Sequence, residues 1–200
     1  MSEKNIIKMF FLEKKSIDIF KKISNKNKNI FAMSHFFQFM LFTYLTKETY
    51  NKEIKLLTTF SFVKNKIFSN FINKLNSQCH TSYHNHINIS KKKNIIKFLK
   101  NLKTSKNIAI FGDVRFKSKN YIEFNLNKLN CYSNNGLFNI IKDNKEFCKY
   151  YITMRRCNYR FQIKIREINT IEEYYYLLKN DIKKYPKDWL LWFQSPMFKN

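Results

Sequence analysis

The chain is short of the residues that punctuate and loosen a fold. Its 200 residues hold two glycines, two prolines and two alanines. So little Gly and Pro leaves small room for long loops or linkers. With no internal repeat and no break in composition, the sequence reads as one domain. Acids are also scarce: 14 Asp and Glu face 38 Lys and Arg, for a net charge of +24. The four cysteines, Cys79, Cys131, Cys148 and Cys157, show no Cys-x-x-Cys spacing. That argues against a zinc ribbon and a disulfide scaffold, and the plain reading is reduced thiols in a cytosolic protein. No apolar run approaches the roughly 18–20 residues that span a bilayer; the longest, Phe36 to Leu45, is interrupted by Gln38. The N-terminus mixes Glu3, Lys4, Lys8 and Glu13 among its apolar residues, so no signal peptide is expected. A Gly-rich phosphate loop, a Gly-x-Ser-x-Gly elbow, the protein-kinase motifs and the aromatic pattern of RNA-recognition sheets are absent as well.

What is present is core material and positive charge. Hydrophobic residues make up 44% and aromatics 18%, enough to bury a core and to argue against disorder. Lys, Asn, Ile, Phe and Tyr fill 116 positions, and these are the residues an A+T-rich genome encodes most readily. Of the basic residues 33 are Lys and five are Arg, so part of the charge is codon drift, which discounts an Arg-rich nucleic-acid reader. The physical effect remains: such a chain is drawn to anionic surfaces, whether lipid head groups, nucleic acid or an acidic carrier protein.

Periodicity predicts alternating helices and strands. A partly amphipathic helix is expected over 5–23, then a polar connection over 24–29. A buried strand follows over 30–34, ending at His35, and a nearly all-apolar helix over 36–50. A β-rich run at 55–63, a helix at 64–75 and an irregular polar stretch at 76–88 come next. Ser90 is placed to cap a helix reaching Lys103. Asn107 to Gly112 is a continuous apolar run ending at Asp113, as in a strand buried on both faces of a parallel sheet. Residues 121–127 alternate, 136–142 form a short helix, and 147–155 and 159–167 form a hairpin turning at Cys157-Asn158. Thr170 to Glu173 is a capping box opening a helix that Pro186 ends. The expected fold class is α/β: a central mixed, largely parallel sheet flanked by helices.

In open α/β sheets ligands sit at the carboxyl ends of strands. His35 and Asp113 both stand at such ends, and a neutral imidazole there can serve as a general base. Cys79, His80, His84 and His86 pack four potential metal ligands into eight residues, but their spacing matches no established finger, and a solvated loop without metal is expected. Ten Lys and Arg between residues 89 and 119 face Asp113 alone, a solvated face or a docking face for an anionic surface. Trp189 and Trp192 suit either a packed C-terminal core or an interfacial anchor.

The order of these pieces resembles the late acyltransferases of bacterial lipid A biosynthesis, within the glycerolipid acyltransferase superfamily. The clearest stretch is Ile168 to Glu172 followed by Asp181 to Trp192, with Pro186-x-x-Trp189-Leu-x-Trp192. Phe98-Leu99-Lys100, the apolar run into Asp113, and Ser133 to Gly136 fit upstream parts, so the likeness runs over about residues 27–200. It implies an N-terminal amphipathic helix within 1–26 and an acyltransferase-like domain over 27–200. It also implies acyl transfer from a thioester of an acyl carrier protein or acyl-CoA to a hydroxyl of a lipid or glycan. The location would be peripheral, on the cytoplasmic side of the inner membrane, at an anionic membrane surface and without cofactor or metal. His35 would be the base and Asp113 the carboxylate that orients it, with Glu48 the weaker candidate. The family's acid five residues after the His is here Met40, the usual Gly-Asn after the His is Phe36-Phe37, and the basic cluster after the closing Trp is Gln194-Ser195-Pro196. Two further readings stay open: a non-catalytic relative that binds membrane or a partner protein, and a basic nucleic-acid-binding protein.

Overall fold

The computed structural model describes residues 8, 10–23, 28–34, 55–58, 87–88, 104, 107–113, 121–126, 129–134 and 146–189. At 55–58, 87–88, 111, 121–126 and 129–134 the description is of backbone only. The chain forms two compact units, one of residues 1–39 and 111–200 and the other of residues 40–110.

The first unit carries a mixed four-stranded sheet in the order β1, β9, β8, β2. These are Phe10–Leu12, Arg160–Glu167, Phe147–Cys157 and Lys28–Met33. β1 lies parallel to β9 and β2 parallel to β8, while β8 and β9 are antiparallel. Helix α1, Lys14–Lys22, packs on β9, and helix α2, Ile171–Lys184, packs on β8. An antiparallel pair, β6 (Tyr121–Leu126) with β7 (Leu129–Asn134), stands apart from this sheet. The second unit holds β3 (Lys55–Thr58), β4 (Ile87–Asn88) and all but the last residue of β5 (Asn107–Phe111), with β3 parallel to both others. The fold is therefore α/β with a mixed, largely parallel set of strands. Among the described residues no helix is long and apolar enough to cross a membrane.

The N-terminal segment differs from the helix expected over 5–23. Phe10, Phe11 and Leu12 extend along Phe161 to Ile163 as β1, and the helix is confined to Lys14–Lys22. The reason is a vacant ladder beside β9, which an apolar tripeptide fills at long range; Phe10 stacks on Phe161 with ring centroids 5.0 Å apart. Where β1 stops, Glu13 N–H donates to Ile163 O at 3.0 Å. The Ser16 hydroxyl then accepts from Ile165 N–H at 2.8 Å and donates to Ile165 O at 3.4 Å. A helix side chain thus continues the ladder by one step. Ser16 is fully buried, so Ser16→Ala leaves a buried amide without that partner. The expected loss is about 1–3 kcal/mol, read by urea denaturation; an unchanged midpoint would show that Ile165 N–H is satisfied without Ser16.

The hairpin of β8 and β9 forms as expected, with its turn one residue later, at Asn158-Tyr159, because Cys157 pairs with Arg160. Asn158 takes the left-handed conformation, φ 56°, which Asn tolerates better than most residues. One face of the pair is apolar and buried: Ile152, Met154, Phe161, Ile163 and Ile165. The other face carries Gln162, Lys164 and Arg166, which the alternation assigns to solvent. α2 lies over it, so these residues are only partly exposed. Arg155 donates to Gln162 Oε1 at 2.5 Å and to the Tyr185 hydroxyl, and its guanidinium lies 4.7 Å from the Tyr185 ring.

The capping box at the start of α2 is present. Thr170 Oγ1 accepts from Glu173 N–H at 3.1 Å, and Glu173 Oε2 reaches back to Asn169 N–H at 2.8 Å. Tyr174, Leu178 and Ile182 face inward as the periodicity predicts. The helix ends before Pro186, which opens a single 3₁₀ turn, Pro186–Asp188, leading to Trp189. The helices expected at 36–50, 64–75, 90–103 and 136–142 lie outside the described residues.

Candidate functional site

Two strand ends meet in the first unit. The Gly112 amide, just beyond β5, donates to Met33 O, the last carbonyl of β2, at 3.1 Å. Two consecutive tyrosines of α2 hold these ends. The Tyr174 hydroxyl donates to Met33 O at 3.0 Å and the Tyr175 hydroxyl to Gly112 O at 2.9 Å. Their rings meet edge to face, centroids 5.0 Å apart, and Tyr174 meets Tyr151 of β8 in the same way at 5.4 Å. Adjacent helix positions point about 100° apart, as 3.6 residues per turn requires, which lets each hydroxyl reach a different strand.

Asp113 follows directly and is fully buried. Its Oδ2 accepts from the Trp189 indole N–H at 3.0 Å. A hydrogen bond to a carboxylate is about twice as strong as a neutral one, so Trp189, itself 1% exposed, is clasped to the strand end by its polar atom as well as by packing. Burial pushes the Tyr174 phenol well above its usual range, and the Asp113 charge pushes it the same way. Tyr174 therefore stays a neutral donor to Met33 O.

Of the residues singled out from sequence, Asp113 is placed at this strand end. His35 lies outside the described residues, as do Met40, Glu48, the Cys79–His86 cluster, Trp192 and the Lys-rich run except for Asp113 and residues 104 and 107–112. Ser34, the residue before His35, is buried at the carboxyl end of β2. The Tyr174 and Tyr175 hydroxyls were not evident from sequence. Their signal was the run Tyr174-Tyr175-Tyr176 on a capped helix, of which the first two are buried and the third is 65% exposed.

A second polar group lies under α2. Asp181 Oδ1 stands 3.8 Å from the Arg166 guanidinium. Ser34 Oγ, the Tyr151 hydroxyl and Asp181 Oδ2 are buried and close no hydrogen bond of good geometry among the described residues. Burial raises the Tyr151 phenol well above its usual range, the nearby Asp181 adds to this, and Ser34 and Thr153 adjoin it. Burial is also the largest influence on Asp181, lifting its carboxyl above the ordinary 3.8, with Arg166, Tyr151 and Lys164 opposing. A folded-state pKa above the unfolded value means that folding takes up a proton. Stability from this group is thus complete below pH 3.8 and falls as pH rises through the folded value. Asp181→Asn cannot ionise, so it is expected to raise the melting temperature at neutral pH, the gap over wild type closing as the pH is lowered. A variant less stable than wild type at neutral pH would show that the Arg166 pair outweighs burial.

Among the described residues no group of three or more His, Cys, Asp or Glu is placed to hold a metal ion. Cys148 and Cys157 form no disulfide among the described residues, and each is partly exposed. No family model matches the chain, and no curated protein matches it.

Proposed function

We propose that the chain is an acyltransferase-like protein of the glycerolipid acyltransferase type. It would move a fatty acyl group from a thioester to a hydroxyl of a lipid or glycan, peripherally at the cytoplasmic face of the inner membrane. The observation that carries this reading is the junction of Met33-Ser34 with Gly112-Asp113 through the 3.1 Å Gly112–Met33 hydrogen bond. The chain positions leading to His35 and to Asp113 are far apart in sequence and adjacent at this end of the sheet. The Pro186-x-x-Trp189 stretch, the most specific part of the resemblance, closes on Asp113.

The reaction needs a base and a route for the leaving group. The His35 imidazole takes the proton of the acceptor hydroxyl while the oxygen attacks the thioester carbonyl. The C–S bond breaks, and the thiolate leaves with the proton that the imidazolium returns. Asp113 would stabilise the cationic imidazole. The donor is an acyl carrier protein or acyl-CoA, both anionic and suited to a chain of net charge +24. No cofactor or metal enters this scheme.

Two observations favour the second reading, a non-catalytic relative that binds membrane or a partner. The Asp113 carboxylate is engaged by Trp189, and Met40 stands where the family has its acid. The deciding experiment is transfer of a labelled acyl group from acyl carrier protein or acyl-CoA to lipid and glycan acceptors. Turnover by the wild-type protein supports the first reading, and its absence across donors and acceptors supports the second. Tight binding to RNA or DNA with no affinity for vesicles would favour the nucleic-acid reading instead.

A further inference from the structure

Arginine is rare in this chain and unevenly spread. Lys outnumbers it 33 to five, yet four of the five, Arg155, Arg156, Arg160 and Arg166, lie on the β8–β9 hairpin. Two of these are engaged beneath α2: Arg155 with Gln162 and Tyr185, and Arg166 with Asp181. The other two flank the turn and are exposed. The Arg156 Nε donates to Asn158 O at 2.9 Å, and the Arg160 guanidinium lies 4.8 Å from the Phe11 ring. Between them Tyr159 is 79% exposed. A two-residue hairpin turn favours Gly, Asn or Asp at its centre, so a tyrosine held out in solvent there contributes little to folding. Among the described residues an acid near this tip is Asp188, partly buried, with the Arg156 backbone and the Arg155 and Arg156 charges beside it. Lys187 next to it is exposed.

The direction of the hairpin matters as much as its composition. β2 and β8 are parallel, and their pairing ends at Met33 opposite Ile152. β8 continues to Cys157, so at about 3.3 Å per residue the turn projects roughly 17 Å past the carboxyl end of β2. The tip and the Ser34–Asp113 strand ends therefore lie toward the same end of the sheet.

We propose that the tip formed by Arg156, Tyr159 and Arg160 is the contact of this protein with an anionic lipid surface. The two guanidiniums would hold head-group phosphates and the tyrosine ring would sit at the interface. Guanidinium matches phosphate with paired donors where ammonium acts as a point charge, and tyrosine is enriched at the level of the head groups. Docking by this tip turns the strand ends toward the lipid, which is where a lipid acceptor would be met. The inference rests on the membrane-face reading above and deepens it.

The test is co-sedimentation of the full chain with phosphatidylcholine vesicles, with and without phosphatidylglycerol. Melting temperatures of all variants serve as the check on folding. Arg156→Gln/Arg160→Gln is expected to weaken binding to the anionic vesicles about 30-fold, from roughly fivefold per basic residue at such a surface. Lys14→Gln/Lys15→Gln removes the same charge from the exposed start of α1 and is expected to cost much less. Tyr159→Ser weakens binding at high salt as well as low, since its loss is not screened. Tyr159→Trp adds an emission component that shifts to the blue on anionic vesicles. Equal losses in the two double variants, with no shift from Tyr159→Trp, would overturn the tip while leaving membrane binding intact. A wild-type protein that sediments with neither vesicle would overturn the membrane reading and the tip together. Binding to polyuridylate but not to vesicles, lost in Arg156→Gln/Arg160→Gln, would assign the tip to nucleic acid and overturn the proposal.

Discussion

Trp189→Phe is expected to destabilise the protein by about 3–5 kcal/mol, combining a lost hydrogen bond to a charged group with the smaller ring's cavity. The indole is 1% exposed and donates to Asp113 Oδ2 at 3.0 Å. Phenylalanine cannot donate, and the fully buried Asp113 carboxylate loses a donor where water does not replace it. Asp113→Asn keeps an oxygen that accepts from the indole, so its expected cost is smaller, about 1 kcal/mol, the charge-assisted part of the bond. Groups in direct contact are not additive, and a double-mutant cycle through Trp189→Phe and Asp113→Asn should return a coupling of about 1–2 kcal/mol. Urea denaturation followed by circular dichroism reads all four corners. Additive losses would mean that the charge of Asp113 adds nothing to its hydrogen bond with Trp189.

The same pair shows what periodicity can and cannot carry. The apolar run from Asn107 to Gly112 ending at an acid places Asp113 at a strand end, and the Pro186-x-x-Trp189 stretch reads as either a packed core segment or an interfacial anchor. Nothing local joins the two, because they are 76 positions apart and their meeting depends on how α2 is seated. The capping box and the alternation of β9 are legible because each is written within a few residues. β1 is not: Phe10 falls on the apolar face of a helix over 5–23 as readily as in a strand, and only the open edge of β9 decides. β7 lacks alternation altogether, and its pairing with β6 supplies the register.

The polar face of β9 makes a related point. Alternation reports which residues share a face, but not what covers that face. Gln162, Lys164 and Arg166 read as a solvated row. α2 instead lays Asp181 and Tyr185 over them and over Arg155, turning surface charges into partly buried pairs. That leaves Arg156 and Arg160 as the arginines exposed at the hairpin tip, a distinction composition alone does not make.

The largest functional effect is expected at His35. If the protein transfers acyl groups, His35→Ala should lower turnover by about 10²–10⁴-fold, the usual contribution of a positioned general base. Asp113→Asn tests the orienting role separately. Its fold is retained on the argument above, so a fall in kcat of about tenfold or more, with KM unchanged, would place the Asp113 charge in the transition state. The wild type itself is expected to be slow, because Met40 stands where the acyltransferases it resembles carry an acid and Trp189 already engages Asp113. A carboxylate introduced by Met40→Glu would stabilise the imidazolium and raise kcat if it reaches the ring, unless desolvation costs more than the pairing returns. The assay is labelled acyl transfer from acyl carrier protein or acyl-CoA by the wild type and the three variants, with melting temperatures as the check on folding. Turnover that survives His35→Ala unchanged would remove His35 from the chemistry. Turnover lost in His35→Ala but untouched in Asp113→Asn would leave Asp113 a structural clasp, and Met40→Glu would then be the variant that shows whether any acid can serve this histidine.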